Sequence, residues 1–145
     1  MDAKPPTQAR DRQATVEPDQ VLSFVETGAL EPRPRLLVDR LLHARVLLQA
    51  NAVLAPRFSL GDCAAAHHIV LGRPASGIVA TERLLTYGFR IEPWNDPPGI
   101  RFFLSSSHEK AEIRALLVAI TMVVRELAAL EEPASIRARG TIPVR

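Results

Sequence analysis

At 145 residues, 47% hydrophobic and 23% charged, the chain has enough apolar material for the core of one globular domain, and wholesale disorder is excluded. The formal net charge is only +2 and the basic residues are almost all arginine, Lys4 and Lys110 being the two lysines, so the basic, aromatic-interleaved footprint of a nucleic-acid binder is absent. A single cysteine, Cys63, excludes an internal disulfide and a multi-cysteine metal site, and no apolar run approaches the length of a membrane span, about 18 residues.

Residues 1–20 are polar, charged and punctuated by Pro5, Pro6 and Pro18, with almost nothing to bury, and read as a flexible arm. Residues 21–30 can form a short helix or strand ending at Gly28, and Pro34 suits the first turn of a helix. From Arg35 onward, Leu37, Leu41, Ala44, Leu48 and Ala52 recur at three- and four-residue spacing, which predicts a helix that Pro56 stops. Residues 57–66 read as a turn, and His67 to Leu71 as a strand closed by Gly72 and Pro74. Ser76 is placed to cap a helix carrying Ile78, Val79, Leu84 and Leu85, with Gly88 just past its end.

Phe89 to Glu92 resumes as a brief strand, Pro93 to Gly99 makes a stiff loop, and Ile100 to Ser105 is the most strand-like segment of the chain. Ser106 with Glu109 three residues on matches the capping-box pattern. Ile113, Leu116, Leu117, Ile120, Val123, Val124 and Leu127 then form an apolar stripe that Pro133 is expected to end, leaving 133–145 as a loose tail. The order predicts an α+β domain over 21–132, a small, mostly antiparallel sheet with helices packed on one face.

No G-x-G-x-x-G, P-loop, H-E-x-x-H or G-x-S-x-G motif occurs. Asp62, Cys63, His67 and His68 cluster in sequence, but neighbouring strand residues point to opposite faces. That predicts one histidine packed in the sheet and one at its surface, rather than a metal site. Ser105, Ser106 and Ser107 beside His108 lack an acidic orienter and an oxyanion loop, so helix capping accounts for them better than nucleophilic chemistry. Arg101 stands apart as a guanidinium in an apolar strand, next to a Pro-Gly loop expected to deliver it to the sheet's end. Its forked donors suit a carboxylate or phosphate; on pattern alone it is equally an arginine on the solvent face of an edge strand.

Four segments carry a resemblance: RLLVDRLLHARVLLQANAVL, AAHHIVLG, ERLLTYGFRIEPW and PPGIRFFLSSSHEKAEIRALLVAI. In this order they resemble the entry helix, first strand, helix-glycine-strand unit, and closing strand, turn and final helix of one known domain. It is the C-terminal small domain of the α-oxoamine synthase family, which includes 8-amino-7-oxononanoate synthase, glycine C-acetyltransferase, 5-aminolevulinate synthase and serine palmitoyltransferase, all fold-type I pyridoxal-phosphate enzymes. The resemblance spans residues 35 to about 130, and its most specific part is Arg101 followed seven residues later by His108 before a helix.

The resemblance implies an acyltransferase that condenses an amino acid with an acyl thioester, with pyridoxal phosphate as electron sink. Arg101 would hold the substrate α-carboxylate, and Ser106, Ser107 and His108 would be structural and capping residues near the site. It also implies a large domain with a Schiff-base lysine, which neither Lys4 nor Lys110 matches. The chain is therefore expected to be a truncated or split small domain, without cofactor and inactive alone, with that large domain as partner or a homodimer formed through exposed apolar surface. The Pro93–Gly99 loop is shorter than the family's by several residues, and Gly99 stands where many members carry a second arginine. An amino-acid aminotransferase small domain is the alternative within the superfamily, disfavoured by His108 and the helix after it. A non-catalytic interaction module is the alternative of another class, and the cytoplasm is the expected compartment.

Overall fold

The computed structural model describes residues 20–26, 31–61 and 63–141, with side chains as far as 130. Most of the expected arm (1–19), Gly28, Asp62 and the last residues (142–145) lie outside the described residues. Strand β1 (Leu22–Ser23) is followed by helix α1 (Pro34–Ala50), a 3-10 turn (Ala55–Arg57), β2 (Phe58–Leu60) and β3 (Ala66–Val70). Helix α2 (Pro74–Thr86), β4 (Phe89–Arg90), β5 (Glu92–Asn95), β6 (Pro98–Phe103) and helix α3 (Lys110–Thr141) complete the order.

The fold is α+β, as the alternation of patterns predicts. Four strands form an antiparallel sheet in the order β2-β3-β6-β5, and β1 pairs with β4 in parallel beside it. Register assigns the faces. Phe58, Ile69, Ile100 and Pro93 align across all four strands, with His67 and Phe102 paired in a parallel row, on the face toward the helices. Between these rows, pointing the other way, lie Ser59, His68, Arg101 and Glu92.

The core joins Ile69, Ile100 and Phe102 of the sheet to Ala44 and Leu48 of α1, Leu84 of α2, and Ile113, Leu116, Ile120 and Val123 of α3. Each large side chain fully removed from water there contributes about 1.5–3 kcal/mol. The apolar stripe of α3 is buried from Ile113 to Val124, as its spacing predicts. Helix α2 lies close on the sheet: a Cβ on Gly77 would overlap the Gly99 carbonyl oxygen, and one on Gly99 would overlap that of Ile69. Its buried face is accordingly Gly77, Ala80 and Leu84, while Ile78, Val79 and Leu85 are exposed.

Several expected boundaries move. Helix α1 ends at Asn51 rather than Pro56, because the Asn51 side-chain oxygen accepts the amides of Val53 and Leu54, both at 2.9 Å, and turns the chain. The supposed turn after Arg57 contains strand β2. Ser76 lies inside α2, which Pro74 opens with its preset φ. The supposed stiff loop at Pro93–Gly99 is a β-hairpin, with only Asp96 and Pro97, joined by a cis peptide, between its strands. Pro93 is tolerated because β5 is an edge strand. Helix α3 continues through Pro133 to Thr141, although Pro133 has no amide proton to donate to the Ala129 carbonyl.

Candidate functional site

Arg101 is the fourth residue of β6, an interior strand, so it sits in the middle of the sheet rather than at its end or on an edge strand. Strand alternation turns it away from the helices. There its Nε donates to Glu92 Oε2 at 2.6 Å and its Nη2 contacts the same oxygen. The guanidinium carbon lies 3.5 Å from the Trp94 ring centroid and 4.8 Å from that of Phe103. Trp94 is fixed in turn by its indole N–H, which donates to the Asp96 carbonyl at 3.1 Å.

The Arg101 side chain keeps 13% of its surface exposed and Glu92 keeps 29%. The aromatic contacts add about 0.5–2 kcal/mol to holding the guanidinium in place. This arrangement can present a planar, charge-assisted fork to a carboxylate, and it already holds one. Glu92, Trp94 and Phe103 escaped the sequence reading. The signal was there in the period-two pattern on either side of Asp96–Pro97, which pairs Glu92 with Arg101 once the stretch is taken as a hairpin.

Beyond the end of β6 lies a cleft of about 450 Å³, lined by Ser23, Glu26, Glu31, Cys63, Ala65, Phe103 and the turn from Ser105 to His108. Ser106 does not cap α3. Its amide and hydroxyl donate to the Glu31 carboxylate at 3.1 and 2.6 Å, and these bonds, led by the hydroxyl, hold the Glu31 carboxyl below the usual carboxylate range. The capping interaction is instead made by Glu112, whose Oε1 accepts the Glu109 amide at 2.8 Å. Ser107 shares a 2.7 Å hydroxyl contact with Ser105.

His108 is buried and stacked on Phe24, ring centroids 3.9 Å apart. Its Nε2 donates to the Ser23 carbonyl at 2.7 Å, and its Nδ1 accepts the Ser105 amide at 3.0 Å. Burial lowers its pKa, the Ser23 bond opposing. The ring is thus a neutral staple between β1 and the turn before α3, with no proton placed for acid or base work.

His67 and His68 do point to opposite faces. His67 is packed in the core, stacked against Phe58 and Phe102, with Nδ1 donating to the Ala65 carbonyl at 3.0 Å, and burial pushes its pKa down to about 4. His68 lies on the Arg101 face, 5.4 Å from Trp94 between ring centroids. Among the described residues no group of three His, Cys, Asp or Glu side chains is disposed to hold a metal.

Nor do the described residues fit pyridoxal phosphate. Lys110, the lysine among them, opens α3 half-exposed with its Nζ 3.3 Å from Asp39, and the Arg101 face offers no lysine to bind the cofactor covalently.

No protein family and no curated protein matches the chain. Among solved structures it is similar to a serine palmitoyltransferase variant from S. paucimobilis with a bound pyridoxal-phosphate–myriocin aldimine, at 20% identity and a TM-score of 0.50. The match covers 66% of this chain and 26% of that enzyme's, so this chain corresponds to about a quarter of the enzyme's length. The likeness establishes the fold alone: this is the α+β architecture found within that serine palmitoyltransferase.

Proposed function

We propose that this chain acts as the small domain of a pyridoxal-phosphate-dependent acyltransferase of α-oxoamine synthase type, and that Arg101 takes the α-carboxylate of its amino-acid substrate. The observation that supports this reading is the setting of Arg101. It is a mid-sheet guanidinium, turned away from the helices and lying against Trp94 and Phe103, in a fold shared with a serine palmitoyltransferase. Its contact with Glu92 is the carboxylate chemistry the reading requires. The cofactor, which supplies an electron sink when bound, belongs in this reading to a separate large domain. The part left to this chain is to fix the carboxylate so that the substrate's reacting carbon has one orientation.

Complementation with the large domain of a related synthase tests the assignment. Arg101→Ala is expected to lower kcat/KM for the amino acid by about thirty- to several-hundred-fold, or about 2–4 kcal/mol, while leaving cofactor binding intact. Arg101→Lys should rescue only part of this, since an ammonium cannot reproduce the planar fork. Arg90→Ala, at the exposed position of β4, is the control and should change little. Equal behaviour of the Arg101 and Arg90 variants contradicts the assignment.

A second reading, a non-catalytic interaction module, is favoured by one observation: Glu92 already satisfies part of Arg101. It predicts that no large domain confers condensation activity on the chain.

A further inference from the structure

Arg101 and Glu92 face each other across the β5–β6 pair in direct register. The tight Asp96–Pro97 turn allows little slippage, so the register keeps the two side chains neighbours in this chain. Both the Nε and Nη2 donors converge on one Glu92 oxygen, Oε2, and the Trp94 and Phe103 ring centroids lie 3.5 and 4.8 Å from the guanidinium carbon. A ligand carboxylate approaches in the plane of the guanidinium, where Glu92 is the resident anion on the Nε–Nη2 edge and leaves the Nη1–Nη2 edge. Two carboxylates on one guanidinium leave a net negative site, and like charges at such separation repel by an amount comparable with what a second hydrogen-bonded pair returns.

We infer that Glu92 is a built-in competitor for Arg101, an autoinhibitory contact whose negative charge weakens carboxylate binding until the Glu92 side chain is displaced. The inference rests on the assignment of Arg101 as a carboxylate-binding residue. It adds that the isolated chain holds this residue in a self-paired state. Glu92 is equipped for the role: it lies on an edge strand, it is the more exposed partner of the pair, and no hydrogen bond other than that to Arg101 holds its carboxylate among the described residues. Swinging outward, it loses only that pair. The contacts of Arg101 with Trp94 and Phe103 do not involve Glu92, so they continue to hold the guanidinium for the incoming group.

The test is acetate binding to the full 145-residue chain, followed by the Arg101 Nε–H signal in nitrogen-15 NMR, with the wild type, Glu92→Gln and Arg101→Lys compared. Gln keeps the size and a neutral acceptor but removes the competing charge. The inference predicts that Glu92→Gln binds acetate at least about tenfold more tightly than wild type, and that adding Arg101→Lys to it abolishes most of the gain. Glu92→Ala should show the same gain, and provides the measurement if the Gln variant fails to fold. If wild type binds acetate through Arg101 and neither Glu92 variant binds it more tightly, the competitor role is wrong while the carboxylate assignment stands. Should acetate leave the Arg101 signal of the Glu92 variants unmoved, the carboxylate assignment itself fails, and the competitor role with it.

Discussion

His67 carries a titratable ring into the middle of an apolar sheet, and its place there shows why a histidine pair in a strand is weak grounds for chemistry. Alternation alone separates His67 from His68. The core claims the first, whose pKa burial lowers to about 4 from an ordinary 6.5. The unfolded chain therefore takes up a proton near pH 6.5 that the folded ring refuses until about pH 4. Stability from this residue is complete above pH 6.5, falls as pH drops through that window, and levels off below it, by at most about 3 kcal/mol. Urea melts at pH 7 and pH 4.5 should show a larger loss for wild type than for His67→Leu; parallel losses would contradict the burial account. Arg101 was equally legible as a residue, since a guanidinium amid apolar strand residues stands out. Its partner was not, because Glu92 becomes its neighbour only through cross-strand register.

At the scale of elements, the sequence was clearest where period and burial agree. Helix α3 keeps its apolar residues on one stripe, and that stripe is buried. Helix α2 is the opposite case. Its large residues Ile78 and Val79 drew attention, yet the face on the sheet is made of Gly77 and Ala80, because α2 lies nearly in contact with the β6 backbone. Close approach of backbones selects absent side chains, which hydrophobic periodicity cannot register. Gly77→Ala should therefore cost about 1–3 kcal/mol by overpacking, although alanine is the better helix former, and a thermal melt unchanged or raised would refute this packing. The β5–β6 hairpin was misread for a related reason. Pro93, Pro97 and Pro98 argue against a strand there, yet Pro93 sits on an edge strand, Pro97 in the two-residue turn and Pro98 at the first position of β6, where each is tolerated.

For the whole molecule, α1 carries apolar surface beyond what the core uses among the described residues. Its inner residues Ala44 and Leu48 are buried, while Val38, Leu42 and Val46 stay 53–63% exposed along another side, so the helix is apolar on more than its core-facing stripe. No helix among the described residues is long and apolar enough to cross a membrane. The proposed arrangement divides labour: this chain orients the substrate carboxylate, and a partner domain holds the cofactor. Its most exposed consequence is that the 145-residue chain should not bind pyridoxal phosphate covalently, since Lys110 is engaged with Asp39 at the start of α3. Incubation with pyridoxal phosphate, borohydride reduction and intact-mass spectrometry with peptide mapping measure this directly. The account predicts no stoichiometric adduct at any lysine; one cofactor per chain trapped on Lys110 would contradict it.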